Sequence, residues 1–502
     1  MSLRAKSPTH DGQVQAPVKM GTTAPARSRR GRMSLGELWA FVAVALPVVA
    51  ALESKVSAID LAYQIRAGAI MLHTHRLIRT DSFTYTAAGR PWVDQQWGGQ
   101  VLLAWIFRLG GWSLLALVRA GLVGVVFLLV YVCCRELGAS KRLAAGLTIA
   151  SFFVGIGALS LRPQLFGMVL FAVTVWILAR RRRSPSLMWA IPPIVILWAN
   201  LHGSFVLAPL LVGLAAVEDR VDRRPGLRRT LLVGAVSLAA TTVNPFGLRI
   251  WAYVASLSTN PNVTMRIAEW QPPELRGYPG ASFFISVAAV AAVLAIRRRS
   301  TPWPCLLTLG VFFVIGLLAV RGIFWWAVIV PPTLVRTFDD RPMRSGEREW
   351  TNLLNTAFAL GLVAIGMIFL PFWRPVATIG GEGGSIVGDA PAGLTRELRS
   401  LPLQPGERIF SPQIYGSWFE LELPDHPVFV DSRIEIFPTP VWDEYTAITS
   451  AREGWQEILA RRDVRVVVAD GDQMAKLLPV IQDDPSWRLV YTDLDGSIYL
   501  RV

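Results

Sequence analysis

The sequence predicts an α-helical polytopic membrane protein that carries a small α/β domain at its C-terminus. Of its 502 residues, 52% are hydrophobic and 17% are charged, which is too apolar for an ordinary soluble enzyme. Apolar runs that suit membrane spans of about 20 residues recur between residues 36 and 372, and the composition then becomes that of a soluble domain. We therefore expect a tail over residues 1–35, a transmembrane domain over 36–372 and an extracytoplasmic domain over 373–502.

The N-terminal tail is polar and rich in Pro, Ser, Thr and Arg. Such a segment has too little apolar surface to fold by itself. No signal-peptide cleavage site follows the first apolar run. We expect a disordered basic tail on the cytoplasmic side.

The transmembrane domain is predicted to contain about eleven helices, judged by the length that a span requires. The runs lie near residues 36–53, 112–133, 143–161, 164–179, 186–200, 204–217, 230–243, 281–296, 303–319, 322–337 and 351–372.

The orientation follows from the connectors between these runs. If the runs alternate across the membrane, the Arg-rich connectors all fall on one side. Among them are Arg180 to Arg183, "DRVDRRPGLRR", Arg297 to Arg299 and "RTFDDRPMRSGER". That side is the cytoplasm by the positive-inside rule. The N-terminus is then cytoplasmic, and an odd number of spans puts the C-terminal domain outside. Membrane orientation also accounts for the net charge of +14, so we expect no nucleic-acid partner.

Two long outer loops are predicted, the first over residues 54–110 and the second over 244–280. The first outer loop holds two amphipathic stretches, "LAYQIRAGAIML" and "QVLLAWIFRLGG", which suit the membrane interface. Two short outer turns, "SLRPQLF" and "WANLHGSF", carry Arg162 and His202.

The C-terminal domain alternates strand and helix patterns. "ERIFS", "HPVFVD", "VRVVVAD", "WRLVYTD" and "GSIYLRV" are typical of short strands, and "VWDEYTAITS", "GWQEILARR" and "DQMAKLLPVI" are typical of helices. The alternation predicts an α/β domain.

Unusual polar residues gather at the predicted outer face. They are Asp60, Asp81 and Asp94 in the first outer loop, Glu269 in the second, and Arg162, His202, Arg249, Arg266 and Arg321. Arginine binds phosphate through parallel charge-assisted hydrogen bonds, and a carboxylate accepts a proton or holds a metal. The set suits a phosphate-bearing lipid substrate; the alternative is that these are ordinary interfacial charges. No GxGxxG, P-loop or HExxH motif occurs in the chain.

The order of short motifs resembles that of bacterial membrane proteins of the GT-C glycosyltransferase superfamily, in an uncharacterised glycosyltransferase-like branch. The motifs are "DLAYQIRAG", "RTDSFTYTAAGRPWVDQQW", "RPQLF", "LWANLHGSF", "NPFG", "AEWQPP" and, near the C-terminus, "VFVDSRIEIF" and "GWQEIL". The stretch after Asp60 differs from the Asp-x-Trp-x-His of that branch, because Ala62 and Gln64 stand at the Trp and His positions.

The resemblance implies a multi-pass enzyme of the bacterial cytoplasmic membrane. Such an enzyme transfers a sugar from a polyprenyl-phosphate donor to a lipid, glycan or protein acceptor of the cell envelope. Asp60 corresponds to the catalytic carboxylate and is our predicted general base for an inverting transfer.

The other polar residues are assigned as candidates for the remaining tasks of that reaction. Arg162, His202 and Arg321 are candidates for the donor phosphate, and Asp81, Asp94 and Glu269 for positioning the sugar or acceptor. The same acidic residues could hold a divalent cation such as Mg²⁺ or Mn²⁺, but no spacing identifies a metal site.

Two other classes of function stay open at this stage. One is a non-catalytic scaffold of GT-C type whose outer domain binds a cell-envelope partner. The other is a transporter or flippase, which the lack of an internal repeat disfavours.

Overall fold

A computed structural model of the chain describes Ser2 and residues 32–297, 301–338, 351–381 and 384–502. The predicted tail therefore falls almost wholly outside the described residues, as do Arg298, Arg299 and most of the "RTFDDRPMRSGER" connector. The fourteen helices described before residue 370 are α1 (Leu35–Glu53), α2 (Ala58–Thr74), α3 (Trp97–Glu136), α4 (Lys141–Gly155), α5 (Pro163–Arg180), α6 (Ile191–Leu201), α7 (Leu207–Val221), α8 (Leu227–Ala240), α9 (Arg249–Thr259), α10 (Pro261–Arg266), α11 (Tyr278–Arg297), α12 (Trp303–Leu318), α13 (Ile323–Val335) and α14 (Leu353–Ile368).

Each of the eleven apolar runs folds mainly as a helix. Among the described residues, six helices are long and apolar enough to cross a membrane, and three shorter apolar helices occupy Pro185–Leu201, Trp303–Leu318 and Val320–Val335. The helical membrane fold is thus confirmed, while the count of eleven spans stays a prediction.

The first outer loop is mostly helical. "LAYQIRAGAIML" lies in α2, and "QVLLAWIFRLGG" forms the first part of α3. Gly110 (φ −159°, ψ 20°) and Gly111 (φ 57°, ψ −152°) leave helical geometry and separate this stretch from the long apolar segment that follows. Buried Arg119 in that segment donates through Nη1 to Lys55 O at 2.7 Å, next to the C-terminal end of α1.

The C-terminal part contains five more α-helices: α15 (Ala392–Ser400), α16 (Gln413–Glu422), α17 (Thr439–Thr449), α18 (Trp455–Arg461) and α19 (Leu477–Gln482). Its strands are β5 (Arg408–Phe410), β6 (Val464–Ala469), β7 (Trp487–Asp493) and β8 (Gly496–Arg501), which form a sheet in the order β5-β6-β8-β7. β5 is parallel to β6, and the other neighbours are antiparallel. The predicted strand-containing C-terminal domain is therefore present.

Two small strand pairs join distant parts of the chain. β1 (Met33–Ser34) pairs antiparallel with β3 (Thr351–Asn352), and β2 (Val56–Ser57) pairs parallel with β4 (Val387–Gly388). Short 3-10 helices occupy Ile156–Ala158, Pro185–Ala190, Gly203–Val206, Ala268–Trp270, Val320–Gly322, Pro371–Trp373, Ile379–Gly381 and Ile434–Ile436.

One predicted strand, "HPVFVD", is not a regular strand. Only Val428 makes bridge pairings, with Ile409 and with Thr84. Pro427 accepts a hydrogen bond from Ile409 N at 3.0 Å but has no N–H to donate to a ladder. The helices α15 and α16 were not predicted from the sequence.

The C-terminal domain packs on the first outer loop and on the start of the apolar segment that follows it. Trp112 and Trp418 stack with ring centroids 5.8 Å apart. Ser432 Oγ donates to Ile59 O at 2.9 Å, one residue before Asp60. This contact positions the start of α2 beside the C-terminal domain.

Candidate active site

A cavity of about 340 Å³ lies where the two outer loops meet the C-terminal domain. Its wall is built from separate parts of the chain. The lining residues are Ile59, Asp60, Tyr63, Gln64, Gln96, Arg162, Gln164, His202, Arg266, Ile267, Ala268, Glu269, Trp270, Arg321, Gln413, Ile414, Ser432 and Ile434. The structure thus brings together five of the seven predicted site residues: Asp60, Arg162, His202, Glu269 and Arg321.

Arg162 bridges two carboxylates in this cavity. Its Nε lies 2.9 Å from Asp60 Oδ2, and its Nη1 lies 3.0 and 2.9 Å from the two Glu269 oxygens. Burial alone lowers the pKa of Arg162, but Asp60 and Glu269 outweigh burial and raise it. Asp60 makes this ion pair through Oδ2, and its Oδ1 has no hydrogen-bond partner among the described residues.

Local structure explains where these two charges stand. Asp60 lies in the first turn of α2, where the helix dipole favours negative charge. Arg162 is the extended residue (φ −145°, ψ 165°) before Pro163, the first residue of α5. Proline suits that helical position, and it keeps the preceding residue out of the helix.

Arg321 lies over the ring of Trp270. Its Cζ is 4.2 Å from the centroid of Trp270, and its Nη2 is 3.4 Å from Gln164 Oε1. Burial lowers the pKa of Arg321 from its usual value. In the part of the chain that the structure describes, this guanidinium forms no ion pair, so its charge is available to a ligand anion.

His202 is held as a neutral hydrogen-bond donor. Its Nδ1 accepts from Ser204 N at 3.1 Å and lies 2.8 Å from Ser204 Oγ. Burial, assisted by Arg321, lowers the pKa of His202 to about 3. With Nδ1 an acceptor, the proton of the neutral ring is on Nε2.

Asp81 and Asp94 do not line the cavity, so the structure does not place them beside Glu269, and their predicted part in positioning the sugar or acceptor stays a prediction. Both are buried. Asp81 Oδ1 lies 2.7 Å from Arg433 Nη2, and its Oδ2 accepts from Thr84 Oγ1 at 2.7 Å. Asp94 Oδ1 accepts from Gln100 Nε2 at 2.7 Å, and burial raises the pKa of Asp94 to about 8. These contacts bind both carboxylates to other parts of the protein, away from the cavity wall.

Several cavity residues carried no predicted role. Arg266 stacks over Trp442 of the C-terminal domain, 4.9 Å from its ring centroid. Gln413 and Ser432 come from that domain. Nearby, burial raises the pKa of Glu435 to about 7, and Tyr253 Oη lies 3.5 Å from its Oε1. No sequence spacing signals these residues, because they belong to segments that are distant along the chain.

A narrow apolar cavity adjoins the polar one. It shares Arg162, Gln164, Glu269 and Arg321 with the polar cavity. Its other walls are mostly apolar and come from α4, α11, α13 and the 3-10 helices next to α4 and α13. They are Val154, Gly155, Gly157, Ala158, Pro279, Val320, Ile323 and Phe324, with Ser160 at one side. A molecule with a charged head and an apolar tail matches this change of polarity.

The two carboxylates of the cavity, Asp60 and Glu269, are held by an arginine. Among the described residues, no group of three or more His, Cys, Asp and Glu side chains is placed to hold a metal. Asp60 and Glu269 are both bound to Arg162, so the cation between them is a guanidinium.

No protein-family model matches the sequence, and no curated protein does. Solved structures match over most of the chain. The oligosaccharyltransferase of Archaeoglobus fulgidus in its apo form is similar at a TM-score of 0.53 and 13% identity, over 93% of this chain and 74% of that one.

ArnT from Cupriavidus metallidurans is similar in two states. The apo state has a TM-score of 0.53 at 14% identity, and the form bound to undecaprenyl phosphate has 0.52 at 16%. Each of the two matches covers 93% of this chain and 98% of the ArnT chain. These proteins and the oligosaccharyltransferase are GT-C membrane glycosyltransferases. The chain therefore has the GT-C fold, as its sequence motifs predict.

Proposed function

We propose that this protein is a membrane glycosyltransferase that takes a sugar from a polyprenyl-phosphate donor and transfers it, with inversion, to an extracytoplasmic acceptor. The observation that carries the proposal is the convergence of Asp60, Arg162, Glu269, Arg321 and His202 on one cavity of a GT-C fold. A proton acceptor and phosphate-binding groups are the two requirements of this reaction.

In the proposed step, the acceptor oxygen attacks the anomeric carbon and its proton passes to Asp60 Oδ1. The bond between the anomeric carbon and the phosphate oxygen breaks, and polyprenyl phosphate leaves with the bonding electrons. Arg321 and the Nε2–H of His202 stabilise the negative charge on the leaving phosphate. Arg162 positions Asp60 through Nε and keeps its Nη2 for the phosphate, and Glu269 binds the sugar or acceptor.

The adjoining apolar cavity supports a lipid-linked donor. This cavity encloses only about 30 Å³, so its apolar walls would have to move apart to admit an isoprenoid chain that leads away from Arg321. A protein with this fold binds a ligand of the same chemical class, since one ArnT structure contains undecaprenyl phosphate, which is a polyprenyl phosphate.

The proposal includes the orientation and the domain limits. The positive-inside rule places the N-terminus in the cytoplasm. The candidate site and the domain over residues 373–502 then lie outside the cytoplasmic membrane of a bacterium, where envelope lipids, glycans and proteins serve as acceptors.

Transfer by the purified protein is the decisive test. Polyprenyl-phosphate donors with radiolabelled sugars are incubated with a cell-envelope extract, and labelled product and free polyprenyl phosphate are measured. Asp60→Asn should lower the rate by about 10²–10⁴-fold, the usual contribution of a general base. Asp425→Asn is the matched control, because Asp425 is exposed and outside the cavity.

Three results would contradict the proposal. Wild-type transfer by Asp60→Asn would remove Asp60 as the base. A wild-type protein that turns over no donor of a broad panel would support the scaffold. Accumulation of intact donor in sealed vesicles, without a new glycosidic bond, would support transport.

A further inference from the structure

A second, strongly basic pocket lies at the other end of the helices that carry the candidate site. Its volume is about 760 Å³, and five arginines but only one carboxylate line it. The lining residues are Arg181, Arg182, Pro185, Met188, Trp189, Asp219, Arg224, Pro225, Gly226, Arg228, Arg229, Thr230 and Leu232. The proposed transfer reaction uses none of them.

The position of this pocket follows from α5. This helix has 18 residues, with Arg162 just before its first residue and Arg181 just after its last. At a rise of 1.5 Å per residue the two ends are about 27 Å apart, close to the roughly 30 Å thickness of the hydrocarbon core. The pocket and the candidate site therefore lie at opposite membrane faces.

Three of the five arginines are already paired with carboxylates. Arg181 Nη2 lies 2.9 Å from Glu218 Oε2 and 3.1 Å from Asp219 Oδ1. Arg182 pairs with Glu218, and Arg224 pairs with Asp222. Asp219 is occupied further, since its Oδ2 accepts from Thr230 Oγ1 at 2.7 Å. This network holds the connectors of α5 and α7 together and leaves the carboxylates little capacity for more cations.

The positive charges of the other two arginines are not neutralised by a described carboxylate. Arg228 and Arg229 are exposed, and neither forms an ion pair with a described residue. Both lie in the first turn of α8, which contains no acidic residue. Cations are unfavourable at this end of a helix, where the dipole and free N–H groups attract anions. The conflict is relieved when a bound anion contacts both guanidinium groups and the helix end.

The apolar residues at the rim of the pocket indicate which class of anion fits it. Trp189 is 44% exposed and Leu232 is 50% exposed, beside the arginines. Trp is typical of the membrane interface, where its ring meets both headgroups and chains. Basic pockets between transmembrane helices bind phospholipid headgroups.

We propose that this pocket binds the phosphate headgroup of an anionic phospholipid in the leaflet opposite the candidate site. Arg228 and Arg229 bind the phosphate, and Trp189 and Leu232 contact the acyl chains. The ligand is a glycerophospholipid with net negative charge, such as phosphatidylglycerol or cardiolipin. The proposal does not depend on the transfer reaction.

Lipid retention tests the site directly. The full chain is purified from nanodiscs of phosphatidylcholine mixed with phosphatidylglycerol, and the bound lipids are counted by native mass spectrometry. We expect retained phosphatidylglycerol on the wild-type protein. Arg228→Gln/Arg229→Gln should lower its affinity on the order of tenfold, from the loss of two surface arginine contacts.

The control removes the same charge at the same face. Arg142→Gln/Arg220→Gln changes two exposed arginines outside the pocket and should retain the lipid as the wild type does. Equal loss in both double variants would mean general surface attraction and would overturn the site. Equal retention of phosphatidylcholine by the wild type would do the same.

A last arm separates lipid from soluble phosphate. Thermal melting of delipidated protein is followed with short-chain phosphatidylglycerol, with glycerol phosphate and with inorganic phosphate. Stabilisation by the lipid alone, lost in Arg228→Gln/Arg229→Gln, supports the proposal. Equal stabilisation by inorganic phosphate would assign the pocket to a soluble anion and overturn the lipid.

Discussion

His202 shows at the scale of one residue how the cavity controls charge. Its folded pKa of about 3 lies below the ordinary value of 6.5, because of burial and Arg321. The ring is therefore neutral at pH values well above 3, and it contributes a hydrogen bond rather than a charge. In the proposed reaction, Arg321 supplies the positive charge for the donor phosphate.

This depressed pKa predicts a pH-dependent stability. Below about pH 6.5 the unfolded chain gains a proton at His202 that the folded chain does not bind, so stability falls toward pH 3. His202→Asn removes the titration and keeps an acceptor for Ser204 N. The wild type should lose roughly 1–2 kcal/mol more than the variant between about pH 7.5 and about pH 5.

Thermal melting in detergent at the two pH values measures the difference. His73→Asn is the control, because His73 is exposed on α2. A wild type and a His202→Asn variant with the same pH dependence would show that His202 titrates normally in the folded protein.

Asp94 gives the opposite sign. Its folded pKa of about 8 lies above the ordinary 3.8 because of burial, so stability is complete below about pH 4 and is lost as the pH rises through about 8. Asp94→Asn supplies a neutral amide whose oxygen still accepts from Gln100. It should raise the unfolding free energy at about pH 8 by at least about 1 kcal/mol.

The same variant also tests the role of Asp94. Denaturation at two pH values measures its stability, and sugar transfer measures its activity. A more stable variant with normal transfer supports the structural role seen in the fold. A stable variant that has lost transfer would restore the original prediction that Asp94 positions the sugar or acceptor.

At the scale of elements, α3 depends on the break at Gly110 and Gly111. Gly111 has φ 57° and ψ −152°, a combination that is essentially restricted to glycine. Gly111→Ala should cost about 1–3 kcal/mol of stability. Gly121→Ala is the matched control in the same helix, since a Cβ there meets no atom within 4 Å.

Thermal melting of the two alanine variants gives the answer. Gly121→Ala should be neutral or slightly stabilising, because alanine favours helical geometry over glycine by up to about 1 kcal/mol. Equal melting temperatures for both variants would mean that α3 can straighten, and that the interfacial segment is not held at its angle by Gly111.

The sequence predicted the helices well where a membrane span requires a long apolar run. The apolar runs that are long enough to cross a membrane are helices, because a backbone in hydrocarbon must satisfy its own hydrogen bonds. Alternation of those runs also predicted that Asp60, Arg162, His202 and Arg321 share one face. Their convergence could be anticipated without knowing any distance between them.

Long-range packing set the limit of that prediction. Asp81 resembles Asp60 in the sequence, since both are lone carboxylates in the first outer loop, yet Asp81 is buried against Arg433 from the far end of the chain. Val428 lies in an apparent strand but makes only single bridges. In each case the deciding partner is in another part of the chain, and no local period reveals it.

At the scale of the whole molecule, Arg433 joins the first outer loop to the C-terminal domain. Its guanidinium is buried, with Nη2 2.7 Å from Asp81 Oδ1 and Nε 2.8 Å from Asp431 Oδ2. Burial raises the pKa of Glu420, 3.8 Å away, well above its ordinary value, which favours its neutral form here. Trp92 and Phe83 cover the guanidinium with ring centroids at 4.7 and 4.6 Å.

This junction also supports the candidate site. Ser432 and Ile434, the neighbours of Arg433, line the cavity, and Ser432 Oγ binds Ile59 O next to Asp60. A loss of the Arg433 contacts therefore releases both the cavity wall and the start of α2. Stability and transfer should fall together when this cluster is broken.

Arg433→Gln leaves the buried Asp81 and Asp431 without a cation, which typically costs about 3–5 kcal/mol. We expect a lower melting temperature, faster proteolytic release of the C-terminal domain and reduced transfer at a temperature where the variant is still folded. Arg465→Gln breaks an exposed pair with Glu407 at 3.6 Å and should cost no more than about 1 kcal/mol. If Arg433→Gln matched Arg465→Gln in melting and proteolysis, the C-terminal domain would be held by its apolar contacts, Trp112 on Trp418 among them, and the charged cluster would have no part in docking.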